Sequence, residues 1–159
     1  MNQSDDGSSD SVIDAVLSAS RVLVAVAARS LSDIGDEVTL TQYRTLVVLA
    51  SRGPQNLAGL AEAVGVTPAT ATRMCDRLVK KRLISRREER GDRRQVRVTL
   101  SKKGIDLVSD VTERRRHEIE AIVKSIAPAQ QRVLVETLGS FADAADEIPD
   151  RDWMSGWDL

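Results

Sequence analysis

The chain is predicted to be mainly α-helical, with one β-hairpin set among its helices. Three observations predict this. Apolar residues recur at helical spacing over most of the 159 residues. Strict apolar–polar alternation appears clearly only in QVRVTL, residues 95–100. Gly, Pro and hydroxyl residues punctuate the short intervals between these patterns. A chain of 159 residues with 42% hydrophobic content has enough apolar surface for one compact core with helical extensions. With one Phe, one Tyr and two Trp, that core must be aliphatic.

Residues 1–10 open the acidic, serine-rich run MNQSDDGSSDS and read as a disordered leader, since its composition is wrong for a secretory signal. Residues 11–36 carry Val12, Val16, Leu17, Leu23, Val24 and Ala27 at helical spacing, so a long helix is expected there, ending near Gly35. Thr41 reads as the N-cap of a helix through TQYRTLVVLASRG, closed by Gly53 and Pro54. Asn56 caps a short helix, NLAGLAEAVG, that stops at Gly65. Thr67 and Pro68 then have the chemistry of an N-cap followed by the first helical position of PATATRMCDRLVKK. Two short helices joined through Gly65-Val66-Thr67 have the sequence shape of a helix-turn-helix.

After Lys81 the period changes. LISRR is β-compatible, QVRVTL puts Val96, Val98 and Leu100 on one face, and EERGDR between them supplies the reversal, with Gly91 free to take a positive φ. Ser101 caps a long helix through Ile105, Val108, Val111, Ile119, Ile122 and Ile126, ending near Pro128. A last helix carries Val133, Leu134, Leu138, Phe141 and Ala145, and the tail IPDRDWMSGWDL with Trp153 and Trp157 reads as irregular. The expected organisation is a leader over 1–10, a helix region over 11–36, a helix-turn-helix with hairpin over 37–104, helices over 105–148 and a tail over 149–159.

Charge is distributed unevenly. The net charge is −1, yet residues 73–103 hold 13 Lys or Arg against 4 Asp or Glu, a local excess of +9 on an otherwise acidic chain. A segment this basic is the footprint of a polyanion-binding face. On helix 68–81, Ala71, Met74, Cys75 and Leu78 form the buried stripe. The other side carries Ala69, Thr72, Arg73, Asp76 and Lys80, flanked by Thr70 and Arg77. Small, hydroxyl-bearing and Arg side chains let a helix lie close to base edges in a major groove, whereas a merely solvated helix shows more Glu and Lys. The hairpin adds Arg86 on its first strand and gathers Arg90, Arg93 and Arg94 around the Gly91-Asp92 tip. A projecting guanidinium there suits the narrow, electronegative minor groove. Asp92 is expected to orient Arg94 through a charge-assisted hydrogen bond. The candidate DNA-binding set is therefore Thr67, Pro68, Ala69, Thr70, Thr72, Arg73, Arg77, Arg86, Arg90, Asp92, Arg93 and Arg94.

Other chemistries find little support. No uninterrupted apolar run approaches the roughly 20 residues of a membrane span, so no membrane partner is expected. A single cysteine excludes an internal disulfide and suits the cytoplasm. Cys75 falls on the buried stripe, and core packing explains it better than redox sensing. His117 stands alone, so no metal site is expected. The absence of a Gly-rich phosphate loop, a nucleophile elbow or a His/Cys cluster argues against an enzyme, and no cofactor is implied. Arg114, Arg115 and Arg116 read as a solvated face or as a dimer-edge ion pair with Glu113, Glu118 or Glu120.

From about residue 39 to 104 the chain resembles the MarR family of winged-helix transcription regulators. GDRRQVRVTLSKKG is similar to that family's wing signature at Asp92, Arg94, Leu100, Ser101 and Gly104. VTPATATRMCDRLVKKRLI is similar to its recognition helix at Arg73, Asp76, Arg77 and Leu78. Arg82 departs from the pattern, which usually has Gly at the end of that helix. The resemblance implies a mainly α winged helix-turn-helix with a two-stranded β-wing, flanked by N- and C-terminal dimerisation helices. It also implies a homodimer on a pseudo-palindromic duplex operator, and a small aromatic or lipophilic effector held between the dimer helices and the winged region. Independently, residues 11–30 and 105–147 hold more aliphatic side chains than one small winged domain needs, and a two-fold dimer reads half-sites about 34–36 Å apart. The expected function is a sequence-specific repressor released by a small molecule or stress signal. The alternatives are a winged-helix protein-interaction module and a constitutive architectural DNA binder.

Overall fold

The computed structural model describes the backbone of residues 6–32, 38–89 and 92–154, and the side chains of 9–32, 38–87, 96–150, 152 and 153. In chain order the elements are α1 (Asp6–Ser32), α2 (Leu40–Arg52), β1 (Gln55–Asn56), α3 (Leu57–Val64), α4 (Pro68–Lys80), β2 (Ile84–Glu89), β3 (Asp92–Leu100), α5 (Lys102–Val123), α6 (Pro128–Ala144) and α7 (Asp150–Met154).

Local chemistry sets most boundaries. Asn56 caps α3 by accepting the Gly59 N–H at 2.7 Å, and Gly65 closes it at φ 74. Thr67 and Ser101 cap α4 and α5 in the same way, accepting from Thr70 N at 3.2 Å and Gly104 N at 3.1 Å. The cap of α2 is not Thr41 but Thr39. Its hydroxyl accepts the Gln42 N–H at 3.2 Å while Gln42 Oε1 accepts the Thr39 N–H at 3.1 Å, a reciprocal capping box. Thr41 has Arg44 three residues on and cannot form one.

Four further expectations change. The helix at the N-terminus begins at Asp6, inside the segment read as a leader, because no proline or cap stops it there. The sheet has three strands in the order β1-β3-β2 rather than two: Gln55 and Asn56 pair with Val98 and Arg97 on the outer side of β3. The tail is not wholly irregular. Residues 150–154 form α7, held by the buried Trp153, whose indole N–H reaches the Ile148 carbonyl at 3.3 Å. Trp157 lies outside the described residues. Finally, α1 is long and apolar enough to cross a membrane by length and composition, with a mean hydropathy of 1.8 in an 18-residue window within Ser9–Ser32. A search for uninterrupted apolar runs misses it, because isolated Asp, Ser and Arg interrupt the sequence without lowering the average far.

The core joins α2, α3, α4, the sheet and the first half of α5. Leu46, Leu60, Leu78, Leu83, Val98, Val108 and Val111 are fully buried in it. The α4–β2 junction is a Schellman motif: the Leu83 N–H reaches Leu78 O at 3.0 Å and the Arg82 N–H reaches Val79 O at 2.9 Å. Arg82 takes the left-handed residue of that motif, at φ 61. Nearby, a Cβ on Gly104 would lie 2.1 Å from the Leu83 carbonyl oxygen, so α5 can start only with glycine there. Away from this core, α6 buries no residue, and only the C-terminal part of α1 is buried, at Val26, Ala27, Ser30 and Leu31.

Candidate nucleic-acid interface

Helix α4 presents two distinct sides. Ala71, Met74, Cys75 and Leu78 are buried, as the period of the sequence predicts. Burial in these apolar surroundings pushes the Cys75 thiol up, which keeps it a protonated core side chain. On the opposite side Thr67, Pro68, Ala69, Thr72, Arg73 and Arg77 are exposed and Thr70 is half-buried. The N-terminal turn is drawn tight by hydroxyls: Thr67 bonds Thr70 Oγ1 at 2.9 Å, and Thr72 donates to the Pro68 carbonyl at 2.9 Å. This leaves a slim helix end with Arg73 and Arg77 projecting beyond it, one turn apart.

Among the described side chains, Arg86 ties the hairpin to that helix by polar contacts. Arg86 Nη2 lies 2.7 Å from Asp76 Oδ1 and 3.4 Å from the Thr72 carbonyl, so the first strand of the hairpin is tied to the middle of α4. Arg86 belongs to the DNA-binding set expected from the sequence, and its guanidinium is also engaged within the subunit. Asp76, which sequence reading placed on the exposed face without a role, is its counter-ion. Nothing in the residue spacing marks this pair, because it forms only when β2 folds back over α4.

Further along the hairpin, antiparallel register sets Arg87 directly opposite Arg97, and both are exposed. Like charges facing each other across a ladder cost stability, an arrangement suited to a surface whose partner carries negative charge. The alternation of QVRVTL places Arg97 on the outward face, yet it was not singled out from sequence. Of the tip residues, Arg90 and Gly91 lie outside the described residues. Asp92, Arg93 and Arg94 belong to the backbone of β3, and the expected Asp92–Arg94 contact falls on side chains outside the described set. The register shifts between Glu88, opposite Val96, and Glu89, opposite Asp92, a β-irregularity of the kind that redirects the end of a strand.

Tyr43 and Arg44, at the junction of α2 with the C-terminal helices, are both engaged. The Tyr43 hydroxyl meets Thr112 Oγ1 at 3.3 Å, and Arg44 makes two bonds to Glu147, at 2.9 and 2.5 Å. That pair holds the Glu147 carboxyl below its ordinary range, chiefly through the hydrogen bonds from Arg44. Two of the glutamates expected near the Arg114–Arg116 run have partners within the subunit: Glu118 pairs with Arg29 at 2.6 Å and Glu120 with Lys124 at 2.8 Å. Among the described residues, no group of three or more His, Cys, Asp or Glu is placed to hold a metal ion.

A helix-turn-helix packed on a cationic antiparallel hairpin defines a winged-helix DNA-binding protein. The model of the MarR family matches residues 38–96, the segment that runs from α2 into the second strand of the hairpin. The chain belongs to the MarR family, whose members are transcription regulators. It is 45% identical to RV1404 from Mycobacterium tuberculosis, a solved structure with a TM-score of 0.83 that covers 89% of this chain and 97% of that one. The HTH-type transcriptional repressor NicR of Pseudomonas putida is 28% identical over 108 residues, 68% of each chain. The S. aureus protein MepR, solved bound to an oligodeoxyribonucleotide, shares the fold with a TM-score of 0.62 and 20% identity, over 84% of this chain and 97% of that one.

Proposed function

We propose that this transcription regulator is a homodimeric repressor that reads a pseudo-palindromic operator and is released by a small aromatic or lipophilic molecule. The observation that carries the reading is the juxtaposition of the slim, Arg-bearing end of α4 with a hairpin locked to it through Arg86 and Asp76. Recognition helix and wing then meet duplex as one rigid body. In this reading Thr67, Pro68, Ala69, Thr70, Thr72, Arg73 and Arg77 face the major groove, and Arg90, Arg93 and Arg94 face the minor groove with Asp92 orienting Arg94. Arg86 acts through Asp76 and not on phosphate. Family membership and the repressor NicR among its relatives support repression.

The dimer reading draws on exposed apolar surface. Val12, Ile13, Leu17, Leu23 and Val24 on α1, and Val133, Val135, Leu138 and Phe141 on α6, are between 45% and 74% exposed. Patches of this size on a soluble chain call for a partner, and a second copy supplies two-fold symmetry and a second recognition helix. The membrane-like composition of α1 has the same explanation.

Fluorescence anisotropy with duplex from the DNA adjacent to the chain's own gene tests the reading. Affinity should fall steeply with salt as counterions leave the phosphates. Arg73→Ala should relax base preference at one position by about 1–3 kcal/mol, while Arg94→Ala should weaken binding with the dimer intact. A shallow salt slope, or equal affinity for scrambled duplex, overturns it.

A further inference from the structure

Helices α5 and α6 form two arms that stand off the winged core. The first half of α5 lies in that core, but no residue of α5 beyond Thr112 is buried, and α6 buries none. Gln131 Nε2 donates to the Val123 and Ile126 carbonyls at 3.1 and 2.8 Å, which fixes the start of α6 on the end of α5.

The far end of α6 is returned to the core. Asp146 takes a left-handed conformation at φ 54, and the Glu147 and Asp146 N–H groups reach the Ala142 and Asp143 carbonyls at 3.0 and 3.1 Å. This second Schellman motif sets the direction in which the chain leaves the helix. Residues 145–153 then run as a strap onto α2. Arg52 Nη2 donates to the Asp146 carbonyl at 2.8 Å and to its carboxylate at 3.1 Å, and Arg44 clamps Glu147. Ile148 packs against the core, and Trp153 is buried in it.

Elements α2, α5, α6 and the strap thus close into a frame. A closed frame resists a swing that a lone helical arm does not. The part of α5 beyond Thr112 is about 16 Å long, so a swing of about 10° at Thr112 displaces its end by about 3 Å, close to the rise of one base pair. Helix α1 steadies that arm through Arg29 and Glu118, and the strap ties it, by way of α6, to α2 itself.

We propose that the strap sets the distance between the two recognition helices of the dimer, with Arg44, Arg52, Glu147 and Trp153 as positioning residues for DNA binding. This role rests on the homodimeric reading above. None of the four lies on α4 or on the hairpin, so they act on duplex only through the placement of the winged core. With the strap docked, a partner gripping α1 and α6 holds each core at one spacing and orientation. With it loosened, each core swings and accepts a range of spacings at lower affinity.

Anisotropy titrations of the full chain test this. The probe is the duplex that the wild-type protein selects from a random library. It is set against versions with one base pair inserted or removed between the half-sites, and a version holding a single half-site. Each spacing change turns one half-site by about 35° and shifts it by about 3.4 Å. Wild type should lose at least about tenfold in affinity on either altered spacing. Arg52→Gln/Glu147→Gln removes one member of each ion pair and leaves the net charge unchanged. It should narrow that loss to about threefold or less, bind the selected duplex several-fold more weakly, and match wild type on the single half-site. Trp153→Leu should act in the same direction, and Glu136→Gln, on an exposed position of α6 outside the strap, should change nothing. Wild-type spacing discrimination in the double variant, or an equal loss on the full and single half-site duplexes, overturns the proposal and leaves the regulator reading standing. A wild type that selects no paired half-sites, or binds one as tightly as two, overturns the dimer reading and the role of the strap with it.

Discussion

Arg82 shows how much one residue can reveal about backbone demand. The turn from α4 into β2 needs a left-handed residue, and Arg82 supplies it at φ 61, at a steric cost on the order of 1 kcal/mol for a side chain with a Cβ. The surroundings hold it there: its own N–H and that of Leu83 make the two Schellman bonds, and Ser101 Oγ donates to its carbonyl at 2.6 Å. Arg82→Gly should therefore raise stability by about 0.5–1 kcal/mol in thermal unfolding, while lowering affinity for duplex because an exposed cation beside the recognition helix is gone. An unchanged or lower midpoint would show that the side chain compensates for its backbone. The sequence motif itself flagged this position as unusual. It gave no reason for Gly104, whose need is visible only once Leu83 is seen to approach it.

At the scale of elements, the ties between them decide function. If Arg86 braces the hairpin through Asp76, then Asp76→Ala should weaken DNA binding although it removes a negative charge near phosphate. If Arg86 serves phosphate directly, the same change should strengthen binding, so the sign of the shift in an anisotropy titration separates the two. The Arg44–Glu147 pair ties the segment after α6 to α2. Glu147 has its carboxyl depressed by that pair, so its stabilising contribution is present above the ordinary carboxylate range and is lost as pH falls through the lowered value. Glu147→Gln should cost about 0.5–1 kcal/mol at neutral pH, the scale of a well-formed but partly exposed pair. The deficit should close in acid, as read by denaturant melts across pH. Legibility follows the same division. Helices α3, α4 and α5 could be read because their caps, Asn56, Thr67 and Ser101, act within three residues. β1 and α7 could not, since two residues paired with Val98 and Arg97 and five residues anchored by Trp153 exist only through distant contacts. Of the candidate interface, the exposed side of α4 was legible from its period. The Asp76–Arg86 brace was not, because no local rule pairs positions on different elements.

For the molecule as a whole, the exposed faces of α1 and α6 set the largest expectation. Phe141→Asp, at a site 56% exposed, should leave the winged core folded yet shift the protein to monomer in light scattering. Affinity for the two-half-site duplex should then fall on the order of 100-fold or more, since each half-site must be held alone. A monomeric variant with unchanged affinity would remove the two-fold reading. Long-range closure has another consequence. Arg44 cannot find Glu147 until the ribosome has added 103 further residues, and the surface of α2 that receives Trp153 stays bare meanwhile. Synthesis proceeds in one direction while this architecture closes in the other. A nascent copy can thus form its winged core first and gains the tie that braces α2 only once residue 147 has been added.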